Sequence, residues 1–158
     1  MLSQTAEITV RLAAALVIGS AIGVNRDLHG KAAGVRTHAL VSLGAAVATL
    51  VPHMLPIGFA PIDPNATGRI LQGILTGVGF LGAGVILRDP SGHVTGLTSA
   101  AAMWMCAVLG IACGLGLWSL LAIALGMTAI ALIFGGPVER LSERWFKRRK
   151  RGPTDKNP

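Results

Sequence analysis

Charge is scarce in this chain. Of its 158 residues only 13% are Asp, Glu, Lys or Arg, against 52% apolar residues and 21 glycines, whereas a soluble domain carries about 25% charged residues. From Val94 to Val138 there is no charged side chain at all. As helix that run would measure about 67 Å, roughly twice the apolar thickness of a bilayer. The shortage excludes a water-solvated globule and indicates a membrane protein.

Reactive chemistry is missing as well. No P-loop, HExxH zinc motif, nucleophile elbow or CxxC occurs, so the sequence reads as non-enzymatic, with no catalytic residue, metal ligand or cofactor. The two cysteines, Cys106 and Cys113, would lie about 10 Å apart on one helix, too far for a disulfide. They read as small core side chains. No Asp or Glu falls in the middle of an apolar run, where ion and proton carriers place ionisable groups. That weakens transport without excluding it, since backbone carbonyls also coordinate ions.

What is present is a series of apolar stretches. Ile8–Val24, Ala39–Leu55 and Ile70–Leu87 each approach the length that crosses a bilayer. The long uncharged run divides at Gly114-Leu115-Gly116-Leu117-Trp118, a plausible hairpin with an interfacial Trp. The fold class is therefore an all-α polytopic bundle of about five transmembrane helices, at 8–24, 38–55, 66–88, 97–114 and 118–136. Five crossings sort the loops into two sets. One set, residues 25–37, 88–96 and 137–158, holds twelve of the fourteen Lys and Arg residues, which places the N-terminus outside and the C-terminus in the cytoplasm. This placement also makes a nucleic-acid role unnecessary for the net charge of +7.

Two polar links echo each other. Arg26-Asp27, Gly30, Gly34, Val35 and Thr37 return as Arg88-Asp89, Gly92, Gly96, Leu97 and Ser99, and both copies fall on the cytoplasmic side. The echo suggests a parallel repeat of a two-helix unit; two loops independently following the positive-inside rule would look similar. Polar residues concentrate here: Asn25, Arg26, Asp27, Lys31, Arg36, Thr37 and His38, then Arg88, Asp89, His93, Thr98 and Ser99. A pseudo-twofold relation would pair Arg26 with Asp89 and Arg88 with Asp27.

Glycines mark the helix contacts. Gly19 and Gly23 form a GxxxG on the first span, and Gly110 and Gly114 form another on the fourth, where a neighbouring backbone can approach closely. The third span carries Gly73, Gly77, Gly79, Gly82 and Gly84, and this density places it at the centre of the bundle. Asp63-Pro64 reads as its start and Asp89-Pro90 as its stop, so that it reaches Arg88. Gln72 and Thr76 on this span form a candidate polar line in the membrane or an interhelical hydrogen-bonding pair. Glu7 and Arg11 form an i,i+4 anchor at the outer interface, with the Arg head reaching back to water. The fifth span is bland and lipid-facing. After a transmembrane domain at 1–137, residues 138–158 read as a short amphipathic helix on the inner leaflet and a basic, disordered tail. There Trp145, Lys147, Arg148, Arg149, Lys150 and Arg151 would bind anionic lipid.

Several blocks together resemble the MgtC/SapB family of bacterial inner-membrane proteins. They are Gly23-Val24-Asn25-Arg26-Asp27, then Gly30 to Val41, then Gly77-Val78-Gly79-Phe80-Leu81-Gly82-Ala83-Gly84-Val85-Ile86, then Gly96-Leu97-Thr98-Ser99-Ala100-Ala101 with Trp104. The resemblance runs from about Leu12 to Gly116. It implies a multi-pass inner-membrane protein associated with growth at low magnesium and, in pathogens, survival inside host cells. Such proteins modulate membrane energetics by binding other inner-membrane proteins, for example the F-type ATP synthase, and homo-oligomers are expected. Ion or small-solute transport in magnesium homeostasis is the alternative. Asn25 stands where many members have Glu, the Asp-Pro-x-Arg motif before the third helix is stretched to Asp63-Pro64 and Arg69, and a basic tail replaces the soluble C-terminal domain of longer members.

Overall fold

The computed structural model describes residues 3–54, 65–88 and 94–150, with backbone alone at 53, 88 and from 137 onward. Among these residues five helices follow one another: α1 Gln4–Leu28, α2 Val35–Met54, α3 Ala66–Val85, α4 Leu97–Leu115 and α5 Trp118–Lys150, with a two-strand ribbon, β1 Leu87–Arg88 and β2 Val94–Thr95, between α3 and α4. All five helices are long and apolar enough to cross a membrane. The chain forms two compact units, 1–122 and 123–158.

Local chemistry sets the helix ends. Ser3 caps α1, its hydroxyl accepting from the Ala6 N–H at 3.3 Å, with Glu7 in the first turn. At the other end Gly30 takes a left-handed conformation at φ 59°. The Lys31 N–H then reaches back to the Arg26 carbonyl at 3.1 Å and the Gly30 N–H to the Asp27 carbonyl at 3.0 Å, the paired bonds of a Schellman stop. Gly116, at φ 69°, ends α4 in the same way, with the Leu117 N–H on the Ala112 carbonyl at 2.9 Å. The turn into α5 thus falls at the hairpin expected from the sequence.

Helix α3 departs from expectation at its end. It stops at Val85, short of Arg88, because Ile86 is extended and Leu87–Arg88 pair antiparallel with Val94–Thr95, in the register Leu87↔Thr95 and Arg88↔Val94. The β-branched Val94 and Thr95 favour that conformation. Asp63, Pro64, Asp89, Pro90 and His93 lie outside the described residues. Helix α5 also differs: it continues through Pro137 to Lys150 as one element rather than restarting as a separate amphipathic helix. The helix formers Glu139, Arg140, Leu141, Glu143, Arg144 and Lys147 follow the proline, whose ring removes one backbone N–H donor from the helix. The side chains of Trp145 and of Lys147 to Lys150, together with Arg151, are outside the described set.

In the first unit α4, not α3, is the central helix. It packs against α1, α2 and α3, and eleven of its residues are buried, against Val78 and Gly82 alone on α3. Met103, Leu109, Cys106 and Cys113 are fully enclosed. Glycine density misplaced α3 because a packed seam and an open seam have the same composition. A side-chain carbon added at Gly73, Gly77, Gly79 or Gly84 would meet nothing within 4 Å, whereas one at Gly82 would touch the Ala100 Cβ at 3.5 Å.

Both GxxxG pairs receive α2. A carbon added at Gly19 would lie 2.6 Å from the His38 carbonyl oxygen and 2.8 Å from the Ser42 Cβ, and one at Gly23 would lie 2.5 Å from the Val35 Cα. From the other side, Gly110 meets the Ser42 carbonyl, and Gly114 meets the Thr49 hydroxyl and the Ala46 carbonyl. α2 is therefore clamped between two glycine faces, the close approach that lets dispersion forces hold helices together where lipid offers no hydrophobic gain. Arg11 secures the opposite end of α1. Its head pairs with Glu7, but Nη1 donates to the Gly114 carbonyl at 2.7 Å, so it ties α1 to the end of α4 as well as reaching water. A cation there also complements the helix dipole.

Candidate functional site

Arg26 is in the last turn of α1 and is only 5% exposed. Its Nη2 donates to the Ser99 hydroxyl, in the first turn of α4, at 3.0 Å, while its Nε has no partner among the described residues. Among the described residues no carboxylate pairs with it. A buried, uncompensated guanidinium is costly, and the Schellman stop fixes it there by returning the chain over the Arg26 carbonyl.

Asp27, the next residue, turns the other way. Its Oδ2 accepts the N–H of Val35, the first residue of α2, at 3.1 Å. A carboxylate at that helix start satisfies an orphan donor and meets the positive end of the dipole. Gly34 makes room: a side-chain carbon there would lie 2.6 Å from the Asp27 carboxylate carbon. Ala33 takes a left-handed φ of 62° to deliver the chain, a strained conformation for a residue with a side chain.

Behind this corner a buried polar line descends α2. His38, Ser42 and Thr49 are enclosed. The Gly34 carbonyl can only accept, so the His38 Nδ1 that sits 3.0 Å from it carries the hydrogen. Among the described residues His38 Nε2 and Ser42 Oγ are buried without partners, and Thr49 donates back to the carbonyls of Ala45 and Ala46. Ser42 and Thr49 were not singled out from the sequence, although their spacing from His38 puts all three on one helical face. On α3, Gln72 and Thr76 are both exposed, and Thr76 donates to the Gln72 carbonyl within the helix at 2.8 Å.

The two links meet. A cavity of about 290 Å³ is lined by Arg26, Gly30, Lys31 and Ala32 from the first link and by Val85, Leu87, Thr95, Gly96, Thr98 and Ser99 from the second. Gly34 and Gly96 each accept the first helical hydrogen bond, from His38 and from Ala100. Before those glycines the links differ, Arg26 being helical and Arg88 in a strand. Gly96, at φ 89°, has the Val85 carbonyl where a side chain would be, so another residue there would be both strained and obstructed. Of the other expected residues, Asn25 and Thr37 are half-buried and Arg36 is exposed. The pairings of Arg26 with Asp89 and of Arg88 with Asp27 involve side chains outside the described set.

The described lining residues supply hydrogen-bond donors of positive or neutral character, suited to an anion. Among the described residues no three His, Cys, Asp or Glu side chains gather where they could share a metal ion.

The model of the MgtC family matches residues 12–141, a stretch that contains every residue of this site. The chain belongs to the MgtC family. SrpB of Synechococcus elongatus is 42% identical over 134 residues, covering 79% of this chain and 72% of SrpB. YhiD of Escherichia coli strain K12, described as a proposed magnesium transporter, is 38% identical over 122 residues, 74% of this chain and 55% of YhiD. MgtC of Salmonella typhimurium strain LT2 is 43% identical over 107 residues, 68% of this chain and 43% of MgtC. The chain thus spans about half the length of the last two relatives. No solved structure matches it. As a family member with five apolar helices, it is a multi-pass membrane protein.

Proposed function

We propose that this MgtC-family chain is a non-enzymatic regulator of the bacterial inner membrane that acts by binding other membrane proteins through the open face of α3. The observation that carries the reading is the contrast among its glycines. Gly19, Gly23, Gly110 and Gly114 are consumed in holding α2, whereas Gly73, Gly77 and Gly84 face open space and flank Phe80, which is 80% exposed. These four positions lie on one helical face, and small residues around a protruding ring form a surface that a second transmembrane helix can approach closely. With the link end in the cytoplasm, the basic tail would rest on the inner leaflet.

In this reading the setting is magnesium-limited growth and the process membrane energetics, with the F-type ATP synthase as the first partner to test. Crosslinking from α3 in native membranes tests the reading. Adducts with other membrane proteins support it, while self-adducts alone would indicate a homo-oligomer.

Transport in magnesium homeostasis is the second reading. It draws on the unpaired His38 Nε2 and Ser42 Oγ inside the bundle and on the description given to YhiD. Magnesium flux into liposomes containing the purified protein would favour it, and absence of flux favours the regulator.

A further inference from the structure

We propose that the cavity between the two links binds a phosphate group, carried either by the headgroup of an anionic phospholipid or by a soluble phosphate compound. The first support is Arg26. It lines the cavity, is 5% exposed, has an unpartnered Nε, and has no carboxylate to neutralise it among the described residues. A charge held in that way is stabilised by a counter-ion in the space beside it. An arginine fork matches the oxygens of a phosphate, which it can engage through two parallel hydrogen bonds.

The second support is independent of Arg26. Helix α4 begins at the cavity wall with Gly96 as its N-cap, and among the described residues no side chain caps its first N–H groups. Those donors and the positive end of the helix dipole form an anion-binding feature. The hydroxyls of Thr95, Thr98 and Ser99 and the ammonium of Lys31 complete a lining that, among the described residues, includes two cations and no acid. The chemistry selects an oxyanion over a metal ion or a neutral solute.

Size and position narrow the ligand further. A volume of about 290 Å³ is at the lower edge of small-molecule sites, which span about 300–1,000 Å³. It encloses a phosphate group and the first atoms of an ester arm rather than a whole nucleotide, the rest of a lipid staying outside. Val85 and Leu87 give the cavity an apolar wall, and Leu87 is 61% exposed. The site also lies where α1 and α3 end, at the level where a lipid headgroup would stand.

The test uses the full chain in two arms. In the first, thermal unfolding in a zwitterionic detergent is followed in rising inorganic phosphate, against sodium chloride of matched ionic strength. In the second, native mass spectrometry counts phosphatidic acid and phosphatidylglycerol retained from bilayers that also contain phosphatidylcholine. Lys31→Gln with Thr98→Ala changes two exposed lining residues and is expected to weaken binding by about tenfold or more. Arg26→Gln should abolish it; should that variant fail to fold, the double variant carries the test.

Stabilisation by phosphate beyond chloride, lost in the double variant, assigns the site to a soluble phosphate. Selective retention of anionic lipid, lost in the same variant, assigns it to a headgroup. Equal effects of chloride and phosphate together with unselective lipid retention, or binding unchanged by the double variant, would overturn the proposal. Both arms use isolated protein, so their outcome is separate from whether α3 binds a partner.

Discussion

The carboxylate of Asp27, in the last turn of α1, accepts the backbone N–H of Val35 at 3.1 Å and so caps the start of α2. One acid closes the first link, and it does so only because Gly34 has no side chain in its place. Asp27→Ala should cost about 0.5–2 kcal/mol of stability, the range of a lost helix cap. Gly34→Ala should cost at least as much with Asp27 intact, since the new methyl group expels the carboxylate. Unfolding in detergent of the two single variants and the double variant checks this: the double should be much less damaged than the sum.

Substitutions at the packed glycines should separate cleanly from those at the open ones. Gly110→Val drives side-chain atoms into the Ser42 carbonyl and should destabilise by about 1–3 kcal/mol or more. Gly77→Ala meets open space and should be neutral or stabilising by up to about 1 kcal/mol, because alanine is the better helix former. Thermal unfolding of both variants in the same detergent is the measurement.

At the other end of the bundle, Arg11→Met removes the hydrogen bond to the Gly114 carbonyl. A bond to a charged donor contributes about 1.5–3 kcal/mol, and with this side chain 21% exposed the lower part of that range is expected. Hydrogen exchange should show the α4–α5 turn opening more readily, while the link end stays protected.

Ser99→Ala should be destabilising out of proportion to the atom removed, by about 1–3 kcal/mol, because it leaves the Nη2 of a buried Arg26 without its partner. Ser99→Thr, which keeps the hydroxyl, should recover much of the loss. Comparing the unfolding of the two variants distinguishes the hydrogen bond from simple packing.

Much of this architecture was legible in the sequence, and the reasons are specific. Uncharged runs marked the five helices because a bilayer penalises charge along a fixed length, and Gly114 to Trp118 marked the turn between the last two. The GxxxG pairs on α1 and α4 were visible as candidate contacts, but not that one helix fills both. Ile86-Leu87-Arg88 looked like the end of a helix because short apolar runs suit helix and strand alike. The centrality of α4 was hidden for a similar reason: glycines at positions 73, 77 and 84 read the same whether a neighbour covers them or not. The junction of Arg26 with Ser99 and the depth of Ser42 and Thr49 depend on tertiary pairing, which local spacing does not encode.

A photoreactive residue placed at Phe80, with Leu40 on the exposed face of α2 as the comparison site, tests partner binding through α3 most directly when both are irradiated in native membranes. Adducts with other membrane proteins are expected from Phe80 and not from Leu40, and Gly77→Ile should suppress them while leaving the fold intact. Equal adducts from both sites, or only self-adducts from Phe80, would contradict a regulator that binds its partners through the open glycine face.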